Sequence, residues 1–224
     1  MLDPLSDKIK SFLIHLPKIK SSLNSALESK AGLEKIEIFP TMFEGTYGPD
    51  ADKIFENYNV HPVPGIVLNR RKVSGTGAKG CFHSHFRLWQ LCVELNEPIM
   101  VFEDDIIIHR EYQEIEFDEL LILSINFDWG PPIEKWRKYL EDNINGTKPI
   151  PFTERFMPGT SGYIIKPKAA KKLLATYTDT FITVDVAMNS TIINMEIHPQ
   201  LIGRAKTMDE KESLVRRINW DTLK

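Results

Sequence analysis

Two cysteines, Cys81 and Cys92, are all that this chain of 224 residues contains. If both stand on one helix, eleven residues at about 1.5 Å each part them by roughly 16 Å. A disulfide needs Cα atoms within about 7 Å. Two free thiols are therefore expected, as in a reducing compartment. Basic charge is not in excess either: 28 Lys and Arg face 31 Asp and Glu, for a net charge of −3. That argues against wholesale binding of nucleic acid, whose phosphates call for a basic surface, while leaving room for a local basic patch. No apolar run approaches the roughly 20 residues needed to span a bilayer. The opening stretch "MLDPLSDKIKSFLIHLPK" holds an Asp, a Pro and scattered lysines where a signal peptide has an apolar core. A cytoplasmic location is the expectation. There is no internal repeat and no low-complexity segment.

What is present suits a folded enzyme-sized domain. Hydrophobic residues make up 42% and charged residues 26%, enough to bury a core. "SFLIHL" (Ser11–Leu16) reads as a buried strand. Ile19, Leu23 and Leu27 then recur every four residues, which predicts a helix stopped by Gly32. "KIEIF" (Lys35–Phe39) predicts a second strand, so the chain opens as a βαβ unit with a parallel sheet. The segment from Pro40 to Gly65 reads as a long connection around a short helix, "DADKIFENY". Arg70, Arg71 and Lys72 form a basic cluster ahead of a Gly/Ser/Thr-rich loop. Such a cluster meets a diphosphate or an anionic acceptor, or is simply a solvated face.

"CFHSHFRLWQLCVEL" is the clearest helix: Phe82, Phe86, Trp89 and Val93 define one apolar face. "IMVF" follows as a buried strand and runs directly into Glu103, Asp104 and Asp105. A further strand is expected at Leu120–Ile125 and a helix at Ile133–Asn143. "GTSGYIIKP" reads as a Gly-rich turn entering a strand, with Pro167 opening the helix "KAAKKLLATY". "VDVAMNSTI" suggests a short helix, "INMEI" a strand and "HPQLIGR" a loop.

Three consecutive carboxylates between apolar runs repel one another, and burial makes ionising them costlier. A divalent cation relieves both effects, and hard oxygen ligands select Mg²⁺ or Mn²⁺. In extended backbone, residues i and i+2 point the same way. Glu103 and Asp105 then share one face as a DxD-like clasp, with Asp104 on the other unless the strand has already ended. In open α/β sheets ligands bind beyond the carboxyl ends of the strands, which is where this cluster falls. The alternative is a solvated turn or a set of lysine partners. Two chemistries fit the clasp: transfer from a nucleotide sugar, or metal-dependent phosphohydrolase or nuclease action. A non-catalytic nucleotide-sugar-binding module is a third possibility. Cys81, His83 and His85 raise the question of zinc. On a helix, however, His83 points away from the face shared by Cys81 and His85, and no second Cys or His cluster completes four ligands.

The stretch from Gly77 to Ile108 resembles the core of the family 25 glycosyltransferases, which include lipooligosaccharide and collagen galactosyltransferases. Gly77, Gly80, Cys81, Ser84, His85, Trp89 and Glu103–Asp105 stand in the family's order and close to its spacing. "SFLIHLPKIKSSL", "GTSGYIIKPKAAKKLL" and "FITVDVAM" resemble three further family segments. The resemblance implies an α/β, GT-A-like, Rossmann-related domain over residues 1–203 with a mostly parallel sheet flanked by helices. Residues 204–224 would be a helical tail packing on that domain or on a partner. It also implies a UDP-sugar donor, with galactose as the guess, Mn²⁺ or Mg²⁺, and inversion at the anomeric carbon. The acceptor would be a hydroxyl on a glycan in lipooligosaccharide biosynthesis or on another molecule. A protein hydroxyl or a modified nucleic acid stays open, as does peripheral membrane contact.

On that basis Asp105 and Glu103, with His198 as a late ligand, are the metal candidates. Glu103, Asp104, His85, Ser84, Lys79, Gly159 and Thr160 are the donor-binding candidates. Asp185, matching the family's later Asp, is the candidate general base; a helix cap is its alternative. For His198 the alternative is a structural or exposed histidine, and for His85 a core histidine held by a backbone carbonyl.

Overall fold

The computed structural model describes residues 9–64, 75–125, 138, 146–155, 157 and 159–205. In chain order the elements are β1 (Lys10–His15), α1 (Lys20–Glu34), β2 (Thr41–Glu44), α2 (Gly48–Asn57), β3 (His61–Pro62), α3 (Thr76–Leu95), β4 (Ile99–Glu103) and β5 (Ile106–Ile108). They continue as β6 (Leu120–Ile122), β7 (Ser124–Ile125), β8 (Ile150–Phe152), β9 (Gly162–Ile165), α4 (Pro167–Thr176), β10 (Thr180–Phe181), α5 (Val184–Ala187), β11 (Met195–Ile197) and β12 (Gly203–Ala205). The basic cluster at Arg70–Lys72, the helix expected at Ile133–Asn143 and the tail beyond residue 205 lie outside the described residues, Lys138 excepted.

Seven strands form the main sheet in the order β2-β1-β4-β9-β6-β11-β8. β1 pairs in parallel with both β2 and β4, and β6 with β11. The pairs β4–β9, β9–β6 and β11–β8 are antiparallel. The sheet is therefore mixed, which corrects the expectation of a mostly parallel one. The reason lies in β9. It enters the sheet beside the end of β4, where Glu103 N–H donates to Ser161 O at 3.1 Å, and so it must run back against both neighbours. Among the described residues, two small sheets, β3–β10 and β5-β12-β7, hold the other strands.

Side chains alternate across the main sheet and divide the core in two. Ile99, Val101, Leu120 and Ile122 pack with Phe82, Leu88 and Trp89 of α3 and Leu173 of α4. Met100, Phe102 and Leu121 pack with Ala26 and Leu33 of α1 on the other side. Burying such side chains, at about 1.5–3 kcal/mol each, holds α1 and α3 against opposite faces.

Three local expectations change. The second strand is not "KIEIF": residues 35–37 turn, Glu37 adopts φ 61°, and the strand begins after Pro40. The first helix runs through Gly32 to Glu34. Its inner face is Ser22, Ala26, Ser29 and Leu33, not the leucine stripe, and Leu27 is 52% exposed. The third helix starts at Thr76, five residues before Cys81, so Gly77 and Gly80 lie within it. Gly80 is required by a close approach: a Cβ there would stand 2.7 Å from Thr46 O.

Candidate active site at the end of β4

β4 ends at Glu103, and Asp104 and Asp105 turn the chain into β5. By alternation Glu103 shares the side of Ile99 and Val101, facing α3. Asp104 faces α1, where Ser22 donates a hydrogen bond to its carboxylate. The Ser22 oxygen in turn accepts Leu16 N–H at 2.9 Å. Ser29 Oγ meets the carbonyls of Asp104 at 2.8 Å and Ile106 at 2.9 Å. The serines of α1 thus fasten the acidic turn to the loop after β1. Nothing in the apolar pattern of "KSSLNSALESK" signals this; two serines seven apart on the inward face are its only trace.

On the α3 side, Glu103 Oε1 accepts the Thr160 hydroxyl proton and lies 3.2 Å from His85 Nε2. His85 is 1% exposed, and its Nδ1 lies 2.8 Å from Tyr163 Oη. Tyr163 Oη also accepts Trp89 Nε1–H at 3.2 Å. Gly159, at φ 91°, sets the turn that presents Thr160, a backbone conformation that favours glycine. His85, Glu103, Gly159 and Thr160 are therefore brought together as the sequence reading grouped them. For the stretch Gly159–Tyr163 the sequence suggests a backbone approach to the sugar or a tight turn before a strand, with no role for the Tyr163 hydroxyl. A tyrosine in a buried central strand needs a partner for its hydroxyl, and that was the available signal.

Asp185, at the start of α5, belongs to the same neighbourhood. Burial raises its carboxyl above the ordinary range; the backbone donors of Asp185 and Val186 oppose the rise, and the negative charge of Glu103 adds to it. Cys81 registers the whole group. Burial pushes its thiol well up, and the charges of Glu103, Asp185, Asp105 and Asp104 push the same way. Cys81, His85 and Glu103 each place one potential ligand atom within 4.8 Å of the others. The third donor comes from a strand rather than from a second Cys or His cluster. His83, on the other side of α3, meets Thr46 Oγ1 at 2.7 Å. Both cysteines are free.

Three predicted site residues stand elsewhere. Ser84 Oγ accepts Thr46 N–H at 2.8 Å and donates to Gly80 O at 2.7 Å, so it joins α3 to the loop after β2 instead of presenting its hydroxyl to a ligand. Lys79 Nζ pairs with Asp52 Oδ1 at 2.7 Å, and Asp52 Oδ2 accepts from Thr76 at 2.7 Å; Lys79 ties α3 to α2. His198 is buried, with Nε2 donating to Gln113 O at 2.7 Å and Nδ1 accepting Gln200 N–H at 3.1 Å. Met195 and Ile197 pack on the α3 side of the sheet, so His198 falls on the other side, against Tyr112. β11 is also three strands from β4, roughly 14 Å away. The structure does not bring His198 to Glu103.

A model of glycosyltransferase family 25, described as LPS biosynthesis proteins, matches residues 20–188. The chain belongs to glycosyltransferase family 25. The match takes in His85, Glu103–Asp105, Thr160 and Asp185, and ends before His198. Among curated relatives, the lipooligosaccharide biosynthesis protein lex-1 of Haemophilus influenzae is 29% identical over 144 residues, covering 58% of this chain and 47% of that protein. The lipooligosaccharide biosynthesis protein lic2B of Haemophilus influenzae is 28% identical over 109 residues, covering 44% of this chain and 41% of that protein. The matches thus span less than half the length of either relative. Among the described residues no helix is long and apolar enough to cross a membrane.

Proposed function

We propose that this family 25 chain transfers a sugar, galactose from UDP-galactose as the first candidate, to a glycan hydroxyl in lipooligosaccharide assembly, with inversion. The observation that carries the reading is the family match over residues 20–188, which takes in the acids fastened at the end of β4, Glu103 by Thr160 and His85 and Asp104 by Ser22. One acid can serve the acceptor hydroxyl while the others serve the leaving group. The reducing compartment implied by two free thiols suits a cytoplasmic setting.

Asp185 takes the proton of the acceptor hydroxyl. A carboxyl raised above the ordinary range is a better base for that step than an exposed aspartate, because its pKa lies closer to the working pH. The hydroxyl oxygen bonds to the anomeric carbon on the face opposite the diphosphate. The bond from that carbon to the diphosphate oxygen breaks, and its electron pair leaves with the nucleotide. Thr160 and His85 hold the plane of Glu103, and Ser22 holds Asp104, so the acids keep their arrangement as charge develops.

The donor set fits a divalent cation: Glu103, Asp104 and Asp105 bring hard carboxylate oxygens together at the end of β4, where Thr160 and Ser22 fasten the first two. Glu103 and Asp105 are the residues that would hold Mn²⁺ or Mg²⁺, whose contribution would be neutralisation of the departing diphosphate. The test is to incubate the protein with UDP-sugars and Mn²⁺, with and without an acceptor glycan. Release of UDP coupled to acceptor glycosylation supports transfer. Phosphodiester cleavage that needs no nucleotide sugar points to a phosphohydrolase, and nucleotide-sugar binding without turnover to a non-catalytic module.

A further inference from the structure

The proton on Tyr163 decides what His85 does. Tyr163 is fully buried. Among the described residues its oxygen meets two groups, Trp89 Nε1 at 3.2 Å and His85 Nδ1 at 2.8 Å. An indole N–H can only donate, so the tyrosine oxygen accepts from Trp89. The hydroxyl proton then needs an acceptor of its own, since a buried polar group left without one is costly. His85 Nδ1 is the acceptor in reach. A neutral imidazole that accepts at Nδ1 carries its proton on Nε2, and Nε2 stands 3.2 Å from Glu103 Oε1. Three donors therefore run one way, from Trp89 to Tyr163 to His85 to Glu103, and aligned bonds of this kind polarise one another.

We infer that His85 is the positioning residue of Glu103: the Trp89–Tyr163 pair holds it as the Nε2–H tautomer, and it donates to the Oε1 that also accepts from Thr160. Two donors on one oxygen fix the carboxylate plane. In this tautomer His85 offers no lone pair at Nε2 to the group formed with Cys81 and Glu103. It orients the carboxylate and is not itself a ligand. The expected consequence for metal affinity rests on the reading of Glu103 as a cation-facing acid; the tautomer does not.

Nitrogen-15 spectra of the histidine rings in metal-free protein test the direction of the chain. His85 should show a protonated Nε2 and an unprotonated Nδ1, and Tyr163→Phe, which keeps the ring but removes the donor, should move the Nδ1 resonance. Mn²⁺ titration tests the positioning. His85→Ala should weaken Mn²⁺ binding by about 10- to 100-fold, the usual effect of removing a group that orients a ligand. His85→Gln, whose amide can donate from the ε position, should recover most of that loss. A proton found on Nδ1, or a His85→Gln protein as weak as His85→Ala, overturns the inference. If the wild-type protein binds no Mn²⁺, the cation reading of Glu103 falls, and the ring spectra still decide whether the donor chain points at Glu103.

Discussion

In Asp185→Asn the side chain keeps its shape and one acceptor oxygen, so the backbone donor of Val186 retains a partner. What disappears is a half-buried carboxylate close enough to Glu103 to feel its charge. If Asp185 is the base, kcat for transfer should fall by about 10²–10⁴-fold, the usual contribution of a positioned base. At 1.36 kcal/mol per tenfold, that is about 3–5 kcal/mol of barrier. Stability should move the other way. Burial raises the carboxyl, so the folded protein holds this proton more tightly than the unfolded chain does. The stability it contributes is fully present below the unfolded pKa and is lost as pH rises through the raised folded pKa. The asparagine variant has no such titration, so its stability relative to wild type should grow across that window and stay level above it. The assays are transfer kinetics and thermal unfolding from about pH 4 to 8. A variant that keeps kcat within about tenfold of wild type, and is less stable at neutral pH, would show that Asp185 is a helix cap.

Ser22→Ala strands the Leu16 N–H and releases Asp104, and should destabilise by about 1–3 kcal/mol, seen as a lower urea midpoint at unchanged slope. Gly80→Ala should destabilise by about 1–3 kcal/mol through overpacking against Thr46; a stabilised variant, as alanine gives in an open helix, would deny the close approach. His198→Ala should lower thermal stability because it leaves Gln113 O and Gln200 N–H without their partner, yet Mn²⁺ affinity should not change, since His198 lies on the far face of the sheet from Glu103. A large loss of Mn²⁺ affinity would put His198 back among the ligands.

The strand into the acids was legible because "IMVF" is a continuous apolar run with a sharp polar end. α4 was legible because Pro167 fixes its first turn. Strand direction was not, because side-chain alternation is the same whichever way β9 runs. The inner face of α1 was misread for a different reason: its serines are buried by bonds to Asp104, a partner more than 70 residues away that no local period reveals. The His198 expectation had the right end of the sheet and the wrong face. Alternation from Met195 and Ile197 put His198 opposite them, but which face those two share with Glu103 depends on strand order. At the site, residue types pointed to the acids and the family resemblance to His85, while the roles of Ser84 and Lys79 turned on what the neighbouring α2 and β2 segments offered them.

The account rests on sugar transfer at the end of β4, and one measurement tests it most directly. Wild type, Glu103→Gln and Asp105→Asn are each mixed with UDP-galactose, Mn²⁺ and an acceptor glycan, and the glycosylated product is followed by mass spectrometry. The account predicts product with wild type, little or none with either variant, and recovery of neither at higher donor concentration. Equal product from Asp105→Asn or Glu103→Gln and from wild type would contradict it.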